Sequence, residues 1–250
     1  MRIALLTDFG TRDPYVAAMK GVIAARCDAR IEDLSHDVPP FDVWAGAWFL
    51  RAIVTYWPAG TIFVVVIDPG VGTSRRILAV ERDGRTFLAP DNGVLSLVAA
   101  PPAVSVENEA FFLADGSTTF HGRDRFAPVA AAIANGTPLH ELGPRVDTIA
   151  VLDYAPPSYD RARVEGTIVS VDRYGNLVTD VEAVRLPFAR YEARAGGHVI
   201  ARIARAYGDA GDGAFLVTGS TGCIEIAVAN ASAAALLQLA PGDGVTIAPA

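Results

Sequence analysis

The spacing of hydrophobic and polar positions changes along the chain, and those changes mark its elements. Residues 2–6 are largely apolar and residues 61–67 almost continuously so, as expected of strands covered on both faces. Between them, Asp13-Pro14 opens a helical pattern running to Ala25, because Asp suits the N-cap and Pro the first helical position. A second helix is predicted from Asp42, with Trp44, Ala47, Trp48 and Arg51 at helical spacing before Trp57-Pro58. Residues 77–80 and 86–88 suit a hairpin about Asp83-Gly84, residues 92–99 a helix and 103–106 a strand. Residues 123–134 read as a helix that stops at Asn135-Gly136. This alternation predicts an α/β domain with a mostly parallel sheet over residues 1–157.

Near Ala155-Pro156-Pro157-Ser158 the pattern shifts to short, Gly-punctuated β runs at 166–172, 177–181, 198–204, 214–218, 223–228 and 244–247. The single helical stretch there spans 232–239. A smaller β-rich, barrel-like carboxyl-terminal domain over 158–250 fits better than a continuation of the first sheet.

Composition narrows the classes. With 250 residues, 51% hydrophobic and 20% charged, the chain is not of the disordered type and can build a full core. No apolar stretch reaches the roughly 18 to 20 residues of a spanning helix, so no membrane association is expected. Residues 1–8 lack the pattern of a secretory signal, and a cytoplasmic address is the default. Cys27 and Cys223 lie far apart, outside any CxxC or zinc spacing, and are expected as reduced thiols with no metal. The net charge of −7 argues against nucleic acid as a partner and leaves a cationic ligand open.

In open α/β sheets ligands bind beyond the carboxyl ends of strands, which gives weight to the polar residues there. Thr7-Asp8-Phe9-Gly10, with Asp13 beyond, follows the first strand. Ionised Asp8 could accept the hydroxyls of a ribose, or could simply cap a turn. Asp68-Pro69-Gly70-Val71-Gly72-Thr73-Ser74-Arg75 follows the most buried strand. A glycine-bearing turn can bring Arg75 back to Asp68, where it would hold the acid ionised and offer donors to an anionic nucleophile; the alternative is a structural ion pair. The segment has no phosphate-loop pattern. In Thr119-Phe120-His121-Gly122, His121 could serve as base or polariser and Phe120 could cover a flat ligand. His36-Asp37 is a weaker candidate. Asp172-Arg173-Tyr174-Gly175-Asn176 reads either as a hairpin turn or as a base site, with Tyr174 stacking, Asn176 pairing with an adenine edge and Asp172 binding an ammonium.

These segments, together with residues 35–42, Ala89-Pro90-Asp91-Asn92-Gly93 and Gly222-Cys223-Ile224-Glu225-Ile226-Ala227, resemble in order and spacing the S-adenosyl-L-methionine hydroxide adenosyltransferases, relatives of fluorinase and chlorinase. The resemblance implies an α/β amino-terminal domain, a β-rich carboxyl-terminal domain contributing to the adenine site, and a homotrimer with active sites between subunits. It implies hydrolysis of S-adenosyl-L-methionine to adenosine and methionine without a cofactor. Position by position, it carries the catalytic Asp, Arg and His onto Asp68, Arg75 and His121. It places Asp8 at the ribose, Phe41 and Phe120 along the nucleoside, Tyr174, Asn176 and Asn230 around the adenine, and Asp172 and Asp13 near the methionine ammonium. Ser220 and Glu225 are weaker transfers. The halide-using branch lacks the Asp and His of this triad, and the fluorinase inserts a loop where residues 81–86 form a short turn here; both departures favour water over halide. Three other readings stay open: a halide adenosyltransferase, a metal-dependent hydrolase built from Asp8, His36, Asp37, Asp68 and His121, and a non-catalytic nucleoside-binding module.

Overall fold

A computed structural model describes residues 1–209 and 211–250. Two compact units divide the chain, Met1–Asp153 and Tyr154–Ala250.

The amino-terminal unit is a seven-stranded mixed sheet flanked by helices. Its strands are β1 (Arg2–Thr7), β2 (Arg30–Ser35), β3 (Thr61–Val66), β4 (Ile77–Arg82), β5 (Arg85–Pro90), β6 (Ala103–Ser105) and β7 (Arg145–Val146), in the order β2-β1-β3-β5-β4-β6-β7. The β2-β1-β3-β5 side is parallel, and β4, β6 and β7 add antiparallel. The β4–β5 hairpin turns at Asp83-Gly84, both with positive φ, as a two-residue turn between twisted strands requires.

β3 is buried along its whole length because each face meets a separate core. Ile62, Val64 and Val66 pack with Met19 and Ile23 of α1 (Tyr15–Ala24) and with Val129 and Ile133 of α3 (Ala127–Ala134). Phe63, Val65 and Ile67 face Leu50 of α2 (Val43–Ile53) and Phe87, whose ring stacks on Phe63 at 5.1 Å. The strict alternation of a period-two strand thus fills both layers.

Local chemistry sets several boundaries. Asp42 caps α2 by accepting from the Ala45 amide at 2.9 Å. Asp13 does not cap α1: Pro14 stands at its N-cap without a side-chain bond, and helix starts at Tyr15. Residues 92–99 form turns instead of the predicted helix; Asn92 spends its side chain on Ile67 O (2.8 Å) and the Val94 amide (3.2 Å), a local competition that favours turns. The helix expected from Arg123 begins as a π-helical turn, Gly122–Phe126, before α3.

The carboxyl-terminal unit is an antiparallel, nearly closed barrel-like sheet. It contains β8 (Ser158–Tyr159), β9 (Val164–Val171), β10 (Leu177–Glu182), β11 (Tyr191–Ala195), β12 (His198–Ile200), β13 (Ala214–Thr218), β14 (Cys223–Val228) and β15 (Gly244–Pro249). The path runs β12-β11-β15-β9-β10-β14-β13, with β8 on β9. Just after β12 the chain meets β13, where Leu216 N donates to Arg202 O (2.8 Å) and Ala204 N to Leu216 O (2.9 Å). Ile168, Leu177, Leu216, Ile226 and Ile247 fill the interior, and the short α4 (Ala233–Leu237) adds Leu237 to it. Among the described residues, no helix is long and apolar enough to cross a membrane.

Phe63→Ala should remove a fully buried ring and destabilise the protein by about 3 to 5 kcal/mol. A denaturant midpoint unchanged from the parent would contradict the two-layer packing about β3.

Candidate active site

The parallel strands β1 and β3 run side by side in register, Thr7 opposite Val66, so both chains leave the sheet at the same edge. Asp8 follows β1, and Asp68 follows β3 after Ile67. Two loops close around them. Gly10 N donates to His36 O (2.8 Å), and the Thr7 hydroxyl shares a 2.8 Å hydrogen bond with His36 Nδ1. Asp8 Oδ2 then accepts from the Phe41 amide at 2.8 Å. Phe41 has φ +68°, a costly conformation for an aromatic residue, and its ring is 71% exposed at the rim.

A pocket of about 380 Å³ opens here, in the size range of small-molecule sites. Asp8 and Asp68 stand in its wall with Phe41, Phe120 and His121. Val66, Val71 and Pro40 make its apolar surface, together with two aromatic side chains, Phe9 and Tyr15. Phe9, Tyr15 and Phe120 form a mutual cluster with ring centroids 5.1 to 6.0 Å apart.

Arg75 connects the two polar groups at the pocket's base. Its Nε donates to both oxygens of Asp68, at 3.0 and 2.9 Å, and its Nη2 also meets Asp68 Oδ2. The same Nη2 lies 2.8 Å from His121 Nδ1. A guanidinium can only donate, so Nδ1 must be the acceptor and any imidazole proton sits on Nε2. Burial first, then the positive charges of Arg125 and Arg75, push the His121 pKa down to about 4, so the ring is neutral at pH 7. His121 is only 2% exposed.

Main-chain fit aligns the two halves of this triad. Gly72 has φ +80°, and a Cβ there would stand 2.9 Å from Thr118 O, so only glycine lets the turn after β3 approach the segment leading to His121. Asp124, buried in the π-helical turn, pairs with Arg123 and accepts from the Ser117 amide at 2.7 Å. Those contacts overcome burial and hold its carboxyl below the usual range, fixing the 117–124 segment.

Other candidates lie elsewhere. Asp13 is exposed and outside the pocket wall. His36 is buried; its Nε2 lies 3.0 Å from Asp33 Oδ1 without the alignment of a hydrogen bond, so it ties β2 to β1 and does not face the pocket. Among the described residues, no three His, Cys, Asp or Glu side chains gather as a metal cage, so the metal-hydrolase set is not assembled.

The carboxyl-terminal unit holds a second polar cluster. In the β9–β10 turn Asp172 Oδ1 accepts from the Tyr174 and Asn176 amides, both at 2.8 Å, and Oδ2 accepts from Asn176 Nδ2 at 2.8 Å. Gly175 is required there, with φ +85° and Ser232 occupying the place of a Cβ. Tyr174 is left 79% exposed and Asn176 is buried. Glu225 on β14 is buried and accepts from the Tyr207 hydroxyl at 2.6 Å. Burial, reinforced by Asp172, raises the Glu225 pKa above the ordinary carboxylate range despite that bond. Ser220 is exposed, as is Asn230, which takes φ +56° just after β14.

A family model described as the SAM hydroxide adenosyltransferase N-terminal domain matches residues 3–143, and its C-terminal counterpart matches residues 166–246. The chain belongs to the SAM hydroxide adenosyltransferase family. It is 38% identical to the (R)-S-adenosyl-L-methionine hydrolase of Salinispora arenicola over 98% of this chain and 97% of that protein. A fluorinase from Actinoplanes sp. is 27% identical over 74% of this chain and 72% of its own. The crystal structure of an uncharacterized conserved protein from Thermotoga maritima superposes with a TM-score of 0.92 at 35% identity, covering 98% of this chain and 99% of that one.

Within this adenosyltransferase, sequence reasoning passed over Phe9, Tyr15 and Tyr207. The first two had a signal: both flank the strand-end acid, one in the loop after β1 and one in the first turn of α1. Tyr207 had none, since its partner Glu225 is 18 residues away on another element.

Because unfolding frees His121 from about 4 to its ordinary 6.5, the unfolded chain binds a proton before the native one does. His121 therefore contributes stability that is complete above pH 6.5 and is lost progressively as the pH falls toward 4. Urea midpoints measured from pH 7.5 to 5 should fall more steeply for the parent than for His121→Gln; parallel slopes would refute the assignment.

Proposed function

We infer that the protein hydrolyses (R)-S-adenosyl-L-methionine to adenosine and L-methionine. The observation that carries this reading is the Arg75 guanidinium bonded at once to Asp68 and to a neutral His121, beside a small-molecule pocket.

The chemistry follows from the substrate. Its sulfur leaves C5′ as a neutral thioether, so the leaving group needs no proton. Water is the weak partner, and the site must place it in line and take up its proton as the O–C5′ bond forms and the C5′–S bond breaks, with the electron pair passing to sulfur. Neutral imidazole has one ring lone pair, on Nδ1, and Arg75 already engages it. The oxygens of Asp68 keep acceptor capacity beyond their bonds to Arg75, so Asp68 is the group that receives the proton. His121 turns its Nε2–H to the attacking oxygen and, with Arg75, stabilises negative charge there. Exclusion of bulk water from a pocket with apolar walls strengthens each of these interactions.

Asp8 retains Oδ1 for a ribose hydroxyl, and Phe41 and Phe120 flank the nucleoside. We assign Tyr174 to stacking on the adenine, Asn176 and Asn230 to its polar edge, and Asp172 and Asp13 to the methionine ammonium, with Ser220 and Glu225 as further contacts. A homotrimer and a cytoplasmic address complete the reading.

Incubation with S-adenosyl-L-methionine should yield adenosine and methionine in equal amounts, with the (R) sulfonium epimer consumed preferentially and no 5′-chloroadenosine at high chloride. An absence of adenosine above the enzyme-free control would overturn the proposal. Within it, Asp68→Asn should lower kcat by about 100-fold or more, the scale of a lost general base, while His121→Gln should cost less. The opposite order would move the proton acceptor to His121.

A further inference from the structure

A second cavity, of about 340 Å³, has Arg75 in its wall and shares no lining residue with the nucleoside pocket. Some of its charged groups lack protein partners among the described residues. Arg125, in the π-helical turn, meets the Phe112 ring at 5.1 Å but, among the described residues, no carboxylate. Arg75 and Arg76 use Nε and Nη2 on Asp68 and Asp91 and keep Nη1 uncommitted. Glu107 and Glu109, both exposed, supply carboxylates without a cationic partner among the described residues. Donors therefore come from three arginines, acceptors from two glutamates, and Ile77, Val106 and Phe112 add apolar surface.

A simple anion does not match this set, because Asp68 and Asp91 already offset Arg75 and Arg76 while Glu107 and Glu109 outweigh Arg125. A purely cationic ligand would leave Arg125 unanswered. A carboxylate and an ammonium on one small molecule match both groups.

We propose that this cavity is a second binding site, for a free α-amino acid with an apolar side chain. Arg125 holds the carboxylate, Glu107 and Glu109 hold the ammonium, and the side chain lies along Phe112 and Val106. Arg75, bonded to Asp68 and His121, also stands in the wall of this cavity. The site requires no turnover and stands independently of the hydrolase reading.

Calorimetric titration of the full-length protein, with saturating adenosine present to occupy the nucleoside pocket, provides the test. L-leucine should show one saturable site. 4-Methylpentanoate lacks the ammonium and 3-methylbutylamine lacks the carboxylate; both should bind at least about tenfold more weakly, as the loss of one charge-assisted contact implies. Arg125→Gln should weaken L-leucine by a similar factor. Glu107→Gln, at an exposed position, should do so with an unchanged melting curve, while Asp8→Asn should bind L-leucine as the parent does. Absence of amino-acid binding, equal binding of 4-methylpentanoate or inorganic phosphate, or parental affinity in both Arg125→Gln and Glu107→Gln would overturn the proposal.

Discussion

A single guanidinium organises the candidate site. Arg75 can only donate, and it donates to an acid and to an imidazole at the same time. That dual bond decides the imidazole tautomer and, with burial and Arg125, keeps the ring neutral. It also orients both oxygens of Asp68. Removing the positive charge would therefore change the protonation, the tautomer and the orientation of its neighbours together. A lysine would not reproduce it, since a rounded ammonium lacks the planar fork that reaches two partners in fixed directions.

The surrounding fold is arranged to hold that geometry. β1 and β3 deliver Asp8 and Asp68 to one edge of the sheet, and β3, which leads to Asp68, is buried along its whole length. The loops are knitted together by Thr7, His36 and the Phe41 amide, so the pocket rim depends on main-chain bonds as much as on side chains. His36 is part of this scaffold. The motif that suggested chemistry there was reporting a structural need.

Much of this was legible in the sequence because the signals were local. Continuous apolar runs marked β1 and β3, and the acids directly after them marked the edge where the pocket opens. The turn-forming glycines between Asp68 and Arg75 hinted that the two residues meet. Asp42 gave the α2 cap correctly, but the same logic failed at Asp13, where Pro14 took the cap position. Residues 92–99 had helical spacing, yet Asn92 diverted its side chain to Ile67 and Val94. The tautomer of His121, the pairing of Tyr207 with Glu225 and the second cavity depend on groups far apart in the chain, and no local pattern encodes them.

The contact between Gly72 and Thr118 O bears on how such a site can diversify. Because the two halves of the triad are aligned there by backbone against backbone, their spacing does not depend on which side chains occupy positions 68, 75 and 121. The scaffold and the reactive groups are mechanically separable. Substitutions at those positions can alter the chemistry of the side chains while the frame that holds them stays the same.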